Sequence, residues 1–512
     1  MAHSYQRLTR SLALAFIALL ASGPGLVSLV HAQRSQPGSS RTSRSIRSEK
    51  AIPALFISDI HFDPFHDPGR AKQLVDAPLP QWNAILNSSP SPDQQQAFDA
   101  LQNQCHAKGA DTPPELLESA IAAMKAQQPD AKFMMISGDL VVHDFSCRFQ
   151  ALNPGASPAD YQTFVLKTVS YVLGELRTAF PGMPVYTSLG NNDSGCGDYQ
   201  LDHNSSFFAA AGSILASGLP EGDQVQVKKE FAAEGNYSVM MAAPMQNTRL
   251  IVLDNTFLSP KYKTCAGKRD ANGPDEELEW LRKHLAAAHH LGQRVWVLGH
   301  IPPGVDPYST AEKLRDVCGG QDPIMFLSSD HLPDLLVEYG DVVKLAVFAH
   351  THMDEVRLLH SGPAGRIAIS GRAVAVKMVP SVSPVHGNRP SFTVASINPA
   401  QAILQDYSVI AASNLTGDDT KWATEYNYAR AYHQSEFSPA ALKTMIDAFR
   451  TDNIAVLPES MNYLRNYFPG DKSAALSPFW MEYTCALGNY TGKGFAACVC
   501  RTGPDALVGL GQ

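Results

Sequence analysis

The apolar positions of this 512-residue chain fall into short continuous runs and helical stripes that alternate along its length. Ala54-Leu-Phe-Ile-Ser58 has the continuous apolar character of a buried strand. Thr112-Pro113-Pro114 then opens a helix, and Leu116, Leu117, Ala120, Ile121 and Met124 form its apolar stripe. Lys132–Ile136, Val185–Leu189, Arg249–Leu253, Val295–Leu298 and Lys344–Phe348 read as further strands. Between them lie a helical stretch near 160–178 and a helix from Asp275 to about His290, with Leu278, Leu281 and Leu285 on one face. Alternation of strand and helix predicts an α/β architecture. From about 365 to 410 the pattern changes to short β runs, and from 420 onward it reads as helical. These shifts predict a core domain over 51–410 and a helical, cysteine-containing subdomain over 411–512.

The first 50 residues have a different character. Arg7 and Arg10 precede an apolar stretch, Ser11 to Val30, that Gly23-Pro24-Gly25 interrupts, and Val30-His31-Ala32 has the form of a cleavage site. Residues 1–32 therefore read as a signal peptide rather than a membrane anchor. Residues 33–50, QRSQPGSSRTSRSIRSEK, read as a flexible Ser/Arg-rich linker. No later stretch is long and apolar enough to span a bilayer, so no transmembrane segment is expected after cleavage. Of the 41 Lys+Arg and 49 Asp+Glu, the first 50 residues hold seven and one, which leaves 34 against 48, or about −14. A body so acidic lacks the basic footprint of a nucleic-acid-binding surface. Eight cysteines behind an export signal predict disulfides, and Cys498 and Cys500 are too close to bond each other.

Five strands end in residues that carry chemistry: Ser58-Asp59-Ile60-His61, Gly138-Asp139, Gly190-Asn191-Asn192-Asp193, Gly299-His300 and His350-Thr351-His352. Ligands of α/β sheets gather beyond the carboxyl ends of the strands. Asp59/His61 and His350/His352 are i,i+2 pairs, whose side chains share one side of an extended segment. The glycines before Asp139, Asn191 and His300 allow tight turns beside a bound group. The pool is Asp59, Asp139, His61, His300, His350, His352 and the amide oxygen of Asn191, a mixture that suits zinc, iron or manganese. Seven ligands are too many for one tetrahedral ion but suit two ions bridged by a carboxylate, with positive charge left over for a phosphate ester. Alone, each motif reads as a turn or a surface pair; together, at successive strand ends, they form a set. His66, His106, His289, His290, His331 and His433 match no motif and read as surface or packing residues. Asn87, Asn192, Asn204, Asn236, Asn414 and Asn489 stand in formal glycosylation sequons, and the one inside the metal motif reads as accidental.

As a set, SDIHFDP, GDLVVHD, the GNND turn, LGHIPPG and AHTHMDE resemble the calcineurin-like metallophosphoesterase superfamily, and its acid sphingomyelinase branch in particular. Asp111-Thr-Pro-Pro-Glu-Leu-Leu-Glu-Ser119, Pro380-Ser381 and Phe479-Trp480 extend the likeness over roughly 51–500. The resemblance implies a four-layer α/β/β/α sandwich with a C-terminal helical cap. It implies one ion, zinc before manganese or iron, on Asp59, His61 and His352, a second on Asn191, His300 and His350, and Asp139 as the bridge. A metal-bound hydroxide would attack phosphorus. It also implies a disulfide between Cys265 and Cys318 and pairs Cys485 with Cys498 or Cys500, leaving Cys105, Cys147 and Cys196 unassigned.

Asn192 departs from the family pattern, which has histidine there. An amide donates a hydrogen bond but gives up no proton at ordinary pH. His143, four residues after Asp139, is then the expected proton donor to the leaving oxygen, and Asn192 binds phosphate. The resulting expectation is an exported phosphodiesterase acting on a sphingomyelin-like lipid or a nucleotide phosphoester. The alternatives are a phosphoanhydride hydrolase acting on polyphosphate or nucleoside polyphosphates, and a metal-retaining phosphate-binding protein without turnover. Two features weaken the lipid reading. No saposin-like domain is expected in the roughly 50 residues before the core, and Val382-Ser383-Pro384-Val385-His386 stands where animal sphingomyelinases have an aromatic near the choline end.

Overall fold

A computed structural model describes residues 50–500 apart from 271, 363–366, 368–371 and 472. The expected signal peptide and nearly all of the expected linker lie outside the described residues, which all fall in one compact unit. The strands in chain order are β1 Ile52–Ile57, β2 Met134–Ser137, β3 Val185–Ser188, β4 Tyr237–Met240, β5 Thr248–Val252 and β6 Arg294–Leu298. They continue with β7 Val343–Phe348, β8 Glu355–His360, β9 Ala373–Met378, β10 Ser391–Asn398, β11 Ile403–Ala412 and β12 Trp422–Asn427. One sheet has the order β12-β11-β10-β1-β2-β3 and the other β4-β5-β6-β7-β9-β8. The strands bearing the five motifs run parallel within their sheets, so their carboxyl ends share an edge in each.

The pleat explains the layering. In β6, Trp296 and Leu298 join the core shared with the first sheet, where the Trp296 ring meets Phe56 edge-on at 6.2 Å. Val295 and Val297 point the other way, into a second core with Leu281 and Leu285 of the helix Asn272–His290 and Leu332 and Leu335 of the helix His331–Glu338. The helices Pro114–Gln127 and Pro158–Ala179 connect β1 to β2 and β2 to β3, and they bury Leu117, Met124, Phe164 and Val169. Helix, sheet, sheet, helix is the expected four-layer sandwich.

The C-terminal part departs from the sequence reading. β12 is a strand, paired antiparallel with β11, and the expected boundary at 410/411 falls inside β11. The run from 420 that reads as helical therefore begins as the edge of the first sheet, because backbone pairing to β11 overrides the local pattern. Helices follow from Tyr428. They build an aromatic cluster of Phe449, Tyr463, Trp480 and Tyr483, and Tyr483 donates to Glu355 Oε2 of β8 at 3.0 Å.

The disulfides are Cys105–Cys147, Cys196–Cys265, Cys318–Cys500 and Cys485–Cys498. The expected Cys265–Cys318 bridge is not formed. The segment before Cys265 lies against Tyr199–Leu201, with Lys263 N–H on the Tyr199 carbonyl and Leu201 N–H on that of Lys263, both at 3.0 Å. That pairing delivers Cys265 to Cys196. Cys318 ends a short helix that packs against the helix Gly492–Val499, which delivers it to Cys500.

Candidate metal centre

The five motifs follow directly on β1, β2, β3, β6 and β7. Five of the seven expected ligands lie in the left-handed region: Asp59 (φ 45°), His61 (45°), Asp139 (55°), His350 (73°) and His352 (65°). The i,i+2 pairs thus converge through left-handed turns, not through the pleat of an extended segment as expected. Such a conformation costs a non-glycine residue about 1–3 kcal/mol and persists only where its surroundings enforce it. Here Asp59 N–H donates to the Gly138 carbonyl at 3.1 Å and His61 N–H to that of Asp139 at 2.9 Å, which locks the two turns together. Gly190 is needed for its size, since a Cβ there would stand 2.1 Å from Asp139 Oδ1.

Within this cradle, Asp139 Oδ2 faces His61 Nε2 at 3.5 Å and His300 Nε2 at 3.1 Å. Asp59 Oδ1 faces His61 Nε2 at 3.8 Å and His352 Nε2 at 3.6 Å. His350 Nδ1 stands 3.2 Å from His300 Nε2. The opposite ring nitrogens are tied back: His61 Nδ1 donates to the Val141 carbonyl at 2.9 Å and His300 Nδ1 to that of Ser137 at 2.7 Å. Tyr199 OH lies 3.3 Å from His350 Nε2. Asn191 donates from Nδ2 to Asp198 Oδ1 at 2.7 Å. Both Asp59 oxygens, His61 Nε2 and Asn191 Oδ1 are buried without a hydrogen-bond partner.

This arrangement fits divalent ions. Ligand atoms about 2.0–2.2 Å from a shared zinc stand about 3–3.6 Å apart, close to the spacings seen. Buried acceptors with no donor are otherwise expensive. Burial lowers the pKa of His61 to about 4 and holds His350 and His352 well below the usual range, so their lone pairs are free. Burial raises Asp59 to about 7. Burial would also raise Asp139, but the charge and hydrogen bond of His300 outweigh it and hold the carboxylate well below its ordinary value. The same pair lifts His300 to about 10 against the effect of burial. The His300 proton thus balances the Asp139 carboxylate.

A family model described as calcineurin-like phosphoesterase matches residues 52–354. The chain belongs to this family. It is also similar to phosphodiesterases of the acid sphingomyelinase-like type. The cyclic GMP-AMP phosphodiesterase of Mus musculus is 24% identical over 456 residues, 86% of this chain and 90% of that protein. The acid sphingomyelinase-like phosphodiesterase 3b of Homo sapiens is 23% identical over 480 residues, 90% and 93% of the two chains. The sphingomyelinase phosphodiesterase C of Dictyostelium discoideum is 23% identical over 343 residues, 65% and 70%.

The remaining site residues of this phosphoesterase surround the ligand cluster. Asn192 donates its backbone N–H to Asp139 Oδ1 and its side-chain Nδ2 to Oδ2, both at 2.9 Å. Asp193 is the structural member of the turn: it accepts from the N–H groups of Leu140, Val141 and Gly190 at 2.8, 3.0 and 3.0 Å, tying the β2 and β3 exits together. His143 stacks on His61 with ring centroids 3.8 Å apart. Its Nδ1 and backbone N–H both bind Asp111, at 3.0 and 3.1 Å, and Ser383 Oγ donates to the same carboxylate at 2.6 Å. Burial would lower His143, but Asp111 outweighs it and raises the pKa to about 9.

Sequence reasoning missed Asp111 as a partner of His143, Asn255, and His386. Asn255 Oδ1 accepts from His300 N–H at 3.1 Å. It follows β5 as the other motifs follow their strands, so the strand-end rule could have found it. The His386 ring lies 4.8 Å from that of His352. It comes from a loop distant in sequence, and no spacing announces it.

Proposed function

We propose that this chain is an exported phosphodiesterase that uses two divalent ions, zinc before manganese or iron, to hydrolyse a lipid or nucleotide phosphodiester. The observation that carries the reading is one carboxylate oxygen, Asp139 Oδ2, facing an imidazole of each ligand group at 3.5 and 3.1 Å. In this reading Asp59, His61 and His352 hold one ion, Asn191, His300 and His350 the other, and Asp139 bridges them. Ions bound there supply Lewis acidity toward the phosphoryl oxygens and a water acidified toward neutrality.

The chain's own residues do the rest. Asp111 occupies His143 Nδ1, so Nε2 is the atom that passes a proton to the leaving oxygen. Asn192 keeps its backbone N–H and one side-chain N–H on Asp139, and its second side-chain N–H holds a phosphoryl oxygen. The diesterase relatives support a diester over a monoester. Four disulfides support export, and no helix among the described residues is long and apolar enough to cross a membrane.

The test is hydrolysis of bis(p-nitrophenyl) phosphate against p-nitrophenyl phosphate by protein as isolated, chelated, and reloaded with Zn²⁺ or Mn²⁺. Activity that chelation abolishes, reloading restores and the diester exploits best is the expected result. Protein that holds two ions per chain yet cleaves neither ester overturns the proposal.

A further inference from the structure

The cleft over the ligand cluster has a volume of about 340 Å³, and among its described lining residues Lys108 and Lys261 are the only lysines or arginines. Both are exposed, and neither comes within 4.0 Å of a carboxylate oxygen among the described residues. Lys261 Nζ lies 4.9 Å from the centre of the Tyr199 ring and 3.5 Å from its hydroxyl, which in turn faces His350. Lys108 stands on the other side. Its neighbour Gly109 packs so tightly on the Val385 carbonyl that a Cβ would lie 2.3 Å from that oxygen, and the next residue is His386, against His352. One exposed lysine therefore flanks each candidate ligand group.

Both lysines stand on loops held in place. Cys105–Cys147 and a hydrogen bond from Gln102 Nε2 to the Gly109 carbonyl at 3.0 Å fix the first. Cys196–Cys265 and the backbone pairing of Lys263 with Tyr199 fix the second. Loops ordered in advance lower the cost of binding. Neither lysine forms an ion pair within 4.0 Å among the described residues, and residues 51–512 of this chain carry 34 basic against 48 acidic side chains. Asp139, Asp144 and Asp198 also line the cleft, so the two ammonium groups are the lysine or arginine charges that an anionic group bound there can reach. In the two-metal reading, the single charge of a phosphodiester would be met by the ions.

Building on the two-metal reading, we infer that Lys108 and Lys261 bind a second anionic group of the substrate, a phosphate beside the scissile diester. The lysines select for that group; the bond cleaved remains the diester. AMP and ADP are the probes, titrated calorimetrically into metal-loaded protein, with bis(p-nitrophenyl) phosphate turnover measured in parallel. Wild-type protein binds ADP about tenfold more tightly than AMP, and the preference shrinks as salt rises. In the double variant Lys108→Ala/Lys261→Ala the two affinities converge to within about twofold, while AMP affinity and kcat/KM for the one-phosphate ester change by less than about threefold. Equal affinities in the wild type, or a preference that survives the double variant, overturn the inference. Turnover without the preference removes only the lysine assignment. Preference without turnover keeps that assignment and removes the hydrolase reading.

Discussion

The Asp111 carboxylate grips His143 by both its backbone N–H and ring Nδ1, and Ser383 braces the carboxylate from behind. That grip leaves one ring nitrogen toward the cleft and keeps a proton on the imidazole. The consequence belongs to single residues. His143→Ala is expected to lower kcat about 10²–10⁴-fold on alkyl diesters, whose leaving oxygen needs a proton, and by less than about tenfold on nitrophenyl esters. Equal losses on both would remove the proton-donor role. Asn192 cannot substitute, because its amide holds no transferable proton. Of the GNND turn, Asn191 and Asn192 face the centre, and Asp193 spends its carboxylate on three backbone N–H groups.

Each motif strand ends in a turn that brings its residues to the centre, and these turns are held by one another. The exits of β1 and β2 exchange backbone hydrogen bonds, and the exits of β2 and β3 meet at Gly190. Gly190→Ala would push a methyl group onto Asp139 Oδ1, 2.1 Å away, and displace the proposed bridging carboxylate without touching either core. The expected variant keeps wild-type far-UV circular dichroism and binds fewer than two ions per chain by elemental analysis. Two ions retained with full activity would show that the β3 exit can shift at no cost. At this scale the sequence was legible in part. Strand positions and motif placement followed from apolar runs and flanking glycines. The left-handed turns did not, since an Asp or His carries no local sign that neighbouring strands will force it to positive φ.

The whole molecule carries a buried acidic cost. Glu277, on the inner face of the helix Asn272–His290, is fully buried and both its oxygens lack a partner. Burial first, then the nearby Asp254 and Glu234 carboxylates, raises its pKa well above 4.5. The folded chain therefore holds a proton that the unfolded chain releases, and stability falls as pH rises above about 4.5 toward the folded pKa. Glu277→Gln removes that loss. Its melting temperature should match the wild type near pH 4.5 and exceed it by a widening margin toward neutrality. A variant less stable than the wild type at every pH would show that an ionised Glu277 is paired in solution. The disulfides also belong to this scale. Sequence offered Cys485 two partners, but only the packing of Cys318 against the helix Gly492–Val499 decides that Cys500 goes to Cys318 and Cys498 to Cys485.

By itself the sequence determined the α/β class, the five strand-end motifs and the candidate ligands. Their signals are local: apolar periodicity, a glycine before a turn, a polar residue at fixed spacing. Tertiary structure alone decided which atoms face each other. It set Asp139 Oδ2 between two imidazoles, placed Asp111 behind His143, made β12 an edge strand and paired the cysteines. These contacts join segments from about ten to nearly two hundred residues apart, and those of the centre meet because two sheets bury their shared face. Proximity of that kind comes from packing the whole core, and no local pattern encodes it.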